Sequence, residues 1–524
     1  MLSFREFLPL SGDRNQPGVV SYTGTFGRMF PNLPPLVVSR EALASLAAEM
    51  VELEPSGKQQ DNKAIAAGYT YLGQFIDHDI TFDPTPLADG SVDVYSLTNF
   101  RTPKLDLDCM YGPGPNLAPY LYRKSEESLD GAPPIRFRYH LLLGKVTFSG
   151  NSRLPELPND SDFDLLRLED GTPVIPDFRD DENLLVSQMH VLFARFHNKV
   201  VDLFIPPMKK DPLSPVSRSR LAFRLQKPSE PKAPPPSLSS AEAAASFDEI
   251  RQFVLWHYQW IVLHDFLPQV VDRAVLKEVL DNGPKFYRPS ESPFMPVEFS
   301  GAAYRFGHSL VRESYNLNGL LRRMRPREGG LVALERLFAF DRPLPDELVV
   351  DWRRFFPRPE IFAEELNLSR KINPYFAPGL HHLRIPGPTP KLTERNLLRG
   401  RMLGLPSGQD VARAMGLEPL TPDQISQTPT DGKVAKDHGL HVATPLWYYI
   451  LKEAQIKNEG RWLGPVGSRI VAEVLVGLVL ADKSSYLNRN PNWVPEPPIA
   501  RSRGELRMAD IVNFTGTFEP LRVM

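Results

Sequence analysis

The chain has 524 residues, 42% of them hydrophobic, with 61 basic against 63 acidic side chains and a formal net charge of −2. Length allows a large core and several domains, while the balanced charge gives no global basic field of the kind that binds nucleic acid or an anionic membrane. Cys109 is the sole cysteine; it excludes an intrachain disulfide and suits a reducing compartment, or a fold that does not depend on oxidation.

The first residues, MLSFREFLPLSGDRN, lack the basic region and apolar run of a secretory signal. The most apolar window, 470–481, contains Glu473 and is too short to span a bilayer. The expected location is cytoplasmic, or outside the cell by export without a classical signal. With 53 prolines the chain is expected to have many fixed turns and short helices and few strands. The predicted fold class is therefore mainly α, with long irregular loops.

Residues 1–60 mix Gly, Pro and short apolar pieces and are read as an irregular arm. YTYLGQFIDHDITFD (69–83) follows, with polar side chains set in an aromatic stretch. On a helix, Gln74, Asp77 and His78 fall within roughly 100° of one face and Asp79 falls on another. One segment can thus serve a pocket and, separately, an oxygen-rich site.

RTPKLDLDCMYGPGP (101–115) alternates Asp106 and Asp108 with apolar residues beside the hydroxyl of Thr102. Such a set suits a hard cation that takes six to eight oxygens, although paired loop acids are often only solvated. PDFRDDENLLVSQMH (176–190) places Arg179 and Glu182 three apart, and taken alone it reads as an acid-rich helix start running into a helix over 181–204.

Residues 205–245 are rich in Pro, Ser and Lys and read as a surface insertion. Periodicity predicts helices over 246–264, 299–312 and 463–481. In the second, FSGAAYRFGHSLVRESY carries His308 after Gly307, where a packing histidine is the ordinary alternative to a metal ligand. GPVGSR (464–469) has no preceding strand and makes a weak nucleotide loop. His190, His197, His257 and His264 pair at seven-residue separations on two helices and read as packing histidines.

Taken in order, these stretches resemble the animal haem peroxidase family (the peroxidase–cyclooxygenase superfamily). Its distal motif GQxxDHD is matched by Gly73, Gln74, Asp77, His78 and Asp79. Its calcium loop, TxxxDxS followed by a tyrosine–glycine pair, resembles Thr102 to Asp108 with Tyr111 and Gly112. The arginine motif RxxE with a downstream histidine and HN pair is matched by Arg179, Glu182, His190, His197 and Asn198. The proximal motif RxGH is matched by Arg305, Gly307 and His308, and NLLRGR (396–401) looks like the segment that orients the proximal histidine. The resemblance covers about residues 60 to 482. It implies one catalytic domain over 61–482, interrupted by the 205–245 insertion, with a 483–524 extension packed on it. The family's vertebrate members are secreted and disulfide-linked, so with one cysteine and no expected signal this chain looks like a bacterial-type member.

The resemblance implies haem b as cofactor, hydrogen peroxide and a small reductant as partners, and calcium as a second metal. His308 would be the proximal iron ligand, with Asn396 accepting from its other ring nitrogen to tune the iron. His78 would be the acid–base, Arg179 the fixed cation on the leaving oxygen, and Gln74 the holder of distal water. Peroxide would then be reduced through a ferryl intermediate, which oxidises a halide, pseudohalide or small organic donor.

Asp77 and Glu182 match the carboxylates that form ester links to haem in vertebrate members. Asn183 stands where a methionine would form a third link, so a sulfonium bond is not expected. Asp79, Thr102, the carbonyl of Lys104, Asp106 and Asp108 would hold calcium, Asp108 replacing a serine common in the family. Arg305 and Arg399 are expected to meet haem propionates.

Two other activities are weighed. A fatty-acid dioxygenase of the same superfamily uses a tyrosine three residues before the proximal histidine. That position is Arg305 here, and Tyr304 is turned about 100° away on a helix. A haem-binding or adhesive protein with little turnover is the other, against which the paired His78 and Arg179 speak.

Overall fold

The computed structural model describes residues 23–87, 90–127, 135–137, 139–146, 162–204, 247–289, 293–324, 329–338, 342–358, 365–383 and 387–516. The predicted 205–245 insertion lies outside the described residues. Among those described, eight α-helices have ten or more residues: α1 (Arg40–Glu49), α2 (Ala67–Ile80), α3 (Leu184–Phe204), α4 (Phe247–Ile261), α5 (Arg273–Asn282), α6 (Leu392–Met402), α7 (Leu446–Asn458) and α8 (Pro465–Ala481). The described strands are short, the longest pairing being Asp61–Ala66 antiparallel to Leu368–Arg370. The mainly α prediction holds. None of the described helices is long and apolar enough to cross a membrane.

Local chemistry explains most boundaries. Within the arm predicted to be irregular, α1 forms because Ser39 caps it, accepting from Ala42 N at 3.1 Å, and a run of Ala and Leu follows. In α2, Gly68 is required by a close approach, since a Cβ there would lie 2.5 Å from the Phe355 carbonyl oxygen. Helix α3 starts at Leu184; Asp180 and Asp181 belong to a preceding 3₁₀ turn, Phe178–Asp181, rather than to its first turn. The helix predicted over 246–264 is α4 followed by a π turn, Val262–Phe266.

The segment predicted as a helix over 299–312 is different. A single α turn, Val297–Ser300, gives way to a 3₁₀ helix, Ala303–Leu310. Gly301 and Gly307 weaken the α form there. In a 3₁₀ helix residues i and i+3 eclipse, which sets Arg305 and His308 on one edge and Tyr304 a third of a turn away.

The core joins these parts. Phe75 of α2 stacks on Phe193 of α3 with centroids 5.1 Å apart, and Phe193 meets Tyr258 of α4 edge-on at 5.5 Å. Helix α2 also packs against the Ala303–Leu310 segment, which packs in turn against α7 and α8. Toward the C-terminus, Trp493 lies against Trp256 at 5.4 Å, and Met508 N donates to Asp265 at 2.8 Å.

Candidate active site

Helix α2 presents His78 to the turn that precedes α3. The His78 ring is buried, and its Nδ1 lies 2.8 Å from Asp180 Oδ1. Its Nε2 is 3.9 Å from Glu182 Oε1. Burial and Arg179 press the His78 pKa down, but the hydrogen bond and charge of Asp180, with Glu182, outweigh them and raise it. Gln74 Nε2 donates to Glu182 Oε1 at 2.5 Å, and Asn183 Nδ2 donates to Gln74 Oε1 at 3.2 Å. The Gln74 amide is thereby fixed one turn of helix before His78.

Arg179 is anchored twice. Its Nε and Nη2 donate to Asp177 at 3.0 and 2.7 Å, and Nη2 also donates to the His78 carbonyl at 3.1 Å. The guanidinium lies 4.6 Å from the Phe82 ring centroid, which leaves Nη1 without a protein partner among the described residues. Asp177 is buried and is shared: Arg101 donates to its Oδ2 from Nε at 2.8 Å. Despite its burial, the two arginines hold the Asp177 carboxyl far below the ordinary range.

Glu182 is 47% exposed, yet burial raises its pKa. Glu182 thus keeps an accessible carboxylate toward the space beside the buried His78 ring. Asp77 borders the same space, receiving Thr81 Oγ1 at 3.2 Å and acting electrostatically on Arg179, Tyr304 and Arg305. The α2 face therefore links the His78–Arg179 group to the segment carrying His308.

On that segment, Asn396 of α6 meets both members of the shared 3₁₀ edge. Its Nδ2 lies 2.9 Å from His308 Nδ1, and its Oδ1 accepts from Arg305 Nη1 at 2.8 Å. Sequence reasoning expected the Asn396 oxygen on His308. Arg305 has only N–H donors, so it claims that oxygen and the amide nitrogen turns to the ring. Burial and the Arg305 charge push His308 down to about 3, keeping it neutral. Around Gly307 a Cβ would meet nothing within 4 Å.

Arg305 has no carboxylate at ion-pair distance among the described residues, and burial plus repulsion from Arg399 lower it to about 10. Arg399 is held by Asp83 Oδ2 at 3.1 Å and the Thr85 carbonyl at 3.0 Å. Tyr304 stacks on Phe299, and its hydroxyl, without a hydrogen-bond partner, lies 3.8 Å from where a Cβ on Gly73 would sit.

The oxygen-rich site forms on the other face of α2. One carboxylate oxygen from each of Asp79, Asp106 and Asp108 falls within 4.8 Å of the others. Asp79 Oδ1 accepts from Asp108 N at 3.0 Å, and Thr102 Oγ1 donates to Asp106 at 3.0 Å. Asp79 Oδ2 and Asp108 Oδ1 are buried without a hydrogen-bond partner. Burial and mutual repulsion raise Asp79 and Asp108, and burial raises Asp106. Lys104 closes the turn through N–H to the Thr102 carbonyl at 2.8 Å. These unsatisfied anions are what a bound cation needs.

The structure thus brings His78, Arg179, Gln74, Asp77 and Glu182 together, joins His308, Asn396 and Arg305, and gathers Asp79, Thr102, Asp106 and Asp108. Sequence reasoning missed Asp177, Asp180, Arg101 and the amide of Asn183. The two aspartates bracket Arg179 in PDFRDD, and that flanking was the one available signal. Each of the histidines read as packing residues has a polar partner: His190 has Asp180 (2.7 Å), His197 Tyr111 (2.9 Å), His257 the Phe253 carbonyl (2.7 Å) and His264 Tyr486 (2.9 Å).

Residues 95–436 match the sequence profile of the animal haem peroxidase family, and the chain belongs to that family. Membership implies haem as its prosthetic group. Among curated proteins, it is 24% identical over 409 residues to peroxidasin homolog pxn-2 of Caenorhabditis elegans, a match covering 75% of this chain and 27% of that protein. It is 24% identical over 528 residues to a peroxidase-like protein of Margaritifera margaritifera, covering 86% of this chain and 58% of the other. The chain thus spans less than two thirds of the length of these relatives. Among solved structures, peroxidase A of Dictyostelium discoideum shares the fold at TM-score 0.53 and 15% identity, covering 95% of this chain and 94% of that one. An Oryza sativa fatty acid alpha-dioxygenase does so at TM-score 0.54 and 15% identity, covering 88% and 76%.

Proposed function

We propose that the chain is a haem peroxidase that reduces hydrogen peroxide and oxidises a halide, pseudohalide or small organic donor, with residues 61–482 as its catalytic domain. The observation that carries this reading is the convergence of His78, Arg179, Gln74 and Glu182 in one group, linked through Asp77 to the segment bearing neutral His308. The residues present fit haem: a half-buried uncharged imidazole, open space at Gly307, and a half-buried Arg305 with no carboxylate at ion-pair distance among the described residues.

Haem bound there would supply the redox-active iron at which the peroxide O–O bond is cleaved. His308 would be the residue that holds that iron. Arg305 would meet a propionate, and that pairing would free the Asn396 oxygen to accept from His308 Nδ1 and make the imidazole a stronger donor. Arg399 contributes further positive charge on the same side.

His78 Nε2 would take the proton from one peroxide oxygen and return it to the departing one. Arg179 Nη1 donates to the oxygen on which charge grows, while Asp177 and the His78 carbonyl hold the guanidinium in place. Gln74 would position a water in the space beside the His78 ring. Asp77 and Glu182 would be the residues that form ester links to haem. Asp79, Thr102, the Lys104 carbonyl, Asp106 and Asp108 would hold calcium, whose charge would tie the end of α2 to the loop and steady His78.

The test is peroxide-dependent oxidation of iodide and of guaiacol by the haem-loaded protein. His78→Ala should lower kcat/KM for peroxide by about 10²–10⁴ and Arg179→Gln by about 10²–10³. Unchanged rates in both variants would end the peroxidase reading. The unpartnered hydroxyl of Tyr304 favours one second reading, a fatty-acid oxygenase using a tyrosyl radical. Fatty-acid oxidation by the wild type that is abolished in Tyr304→Phe would select it.

A further inference from the structure

We propose that Asp180 is a positioning residue for His78: it locks the ring as the Nδ1–H tautomer with Nε2 unprotonated toward the space that Glu182 faces, and His190 holds Asp180 in place. This rests on the reading of His78 as the acid–base group.

The geometry leaves little choice of proton placement. Asp180 is fully buried and uses a separate oxygen for each ring, Oδ1 to His78 Nδ1 at 2.8 Å and Oδ2 to His190 Nδ1 at 2.7 Å. An ionised carboxylate only accepts, so both rings present N–H at Nδ1. In the neutral ring His78 Nε2 then carries its lone pair, and Glu182 Oε1 stands 3.9 Å from it, beyond hydrogen-bond reach.

The same short turn holds His78 twice. Asp177 caps the turn through Arg179 N, Arg179 Nη2 grips the His78 carbonyl at 3.1 Å, and the next residue, Asp180, grips the ring. Backbone and imidazole are both fixed from one 3₁₀ turn, so neither ring rotation nor tautomer exchange is free. His190 reaches Asp180 from α3, where it also lies edge-on to Phe75, 6.3 Å away. The carboxylate is therefore clamped between α2 and α3 and cannot swing to give His78 another partner. A carboxylate that only neutralised two buried rings would not need one oxygen on each Nδ1.

An amide in place of Asp180 separates the two accounts. Asn offers one acceptor and one donor group, so one ring must present a bare Nδ1 and move its proton to Nε2. Removing a charge-assisted hydrogen bond changes a tautomer ratio by about tenfold or more.

The experiment is long-range ¹H–¹⁵N correlation on the full-length chain labelled with ¹⁵N-histidine, without haem and above the histidine titration range. The His78 signals are assigned by their loss in His78→Gln. The wild type should show protonated Nδ1 and bare Nε2 at His78. Asp180→Ala should move the proton to Nε2, Asp180→Asn should reverse the tautomer of His78 or His190, and His190→Gln, which retains a donor to Asp180, should leave His78 unchanged. In haem-loaded protein, cyanide association, which requires a base to take the proton of HCN, should slow about tenfold or more in Asp180→Ala.

A wild-type His78 with its proton on Nε2 overturns the proposal and needs no variant to fold. An Asp180→Ala spectrum identical to wild type also overturns it. Failure of the wild type to take up haem would strike the peroxidase reading instead and leave the tautomer result intact.

Discussion

Replacing Asp177 with Asn isolates the charge that anchors the candidate catalytic arginine. The side chain is buried, with contacts to Arg101 at 2.8 Å and to Arg179 at 3.0 and 2.7 Å. Asn keeps the shape, so no cavity opens, but the negative charge disappears. Arg101 retains Asp108 at 3.7 Å; Arg179 retains no carboxylate at ion-pair distance among the described residues. One largely buried guanidinium, its side chain 14% exposed, is thus left uncompensated, which costs about 3–5 kcal/mol.

For a chain of this length, unfolding entropy is about 1.1 kcal/mol/K, taking about 2.1 cal/mol/K per residue, so Tm should fall by about 3–5 °C. The sign with pH follows from the depressed pKa of Asp177. Its contribution is complete above the unfolded carboxyl value near 4 and is lost as pH falls through the folded value. The gap between wild type and Asp177→Asn should therefore be constant from pH 7 to about 5 and narrow in stronger acid. Calorimetry across that range is the assay. A Tm within about 1 °C of wild type would refute the idea that Asp177 carries the two arginines.

Two further outcomes follow. Chelation by EDTA should lower Tm and added calcium restore it, by about 2.7 kcal/mol or roughly 2–3 °C when calcium is at a hundred times its Kd. Asp79→Asn should abolish the response, and a calcium-insensitive wild type would remove the cation from the account. His197 is fully buried and pushed down to about 4 by that burial. The unfolded chain takes up its proton near 6.5 and the folded one does not, so stability should fall between pH 6.5 and 4 by about 3 kcal/mol on this residue's account. His197→Gln should flatten the slope in that window, as read by urea titration at each pH.

The long helices were legible because their apolar spacing is sustained: α3 and α8 lie where periodicity put them. The proximal segment was not. Its apolar residues at three-residue spacing suit a 3₁₀ as well as an α helix, and the glycines that decide between them act through neighbours distant in sequence. The motif residues His78, Arg179, His308 and Asn396 could be named in advance because their types and order resemble one family. What links them could not. Asp177 and Asp180 look like the acids of any helix start, and only the tertiary meeting of that turn with α2 gives one to the arginines and the other to the histidines. Arg101 was read as part of a loop, although it touches both the cation site and the arginine anchor. The orientation of Asn396 was also beyond the sequence, since it depends on which group competes for one amide oxygen.

The most direct test of the central claim is the visible absorption spectrum of the purified chain loaded with haemin, compared with His308→Ala. The account predicts a ferric Soret band in the wild type that hydrogen peroxide alters reversibly, and its loss or displacement in the variant. Identical spectra in the two proteins, or no haem uptake by the wild type, would contradict it.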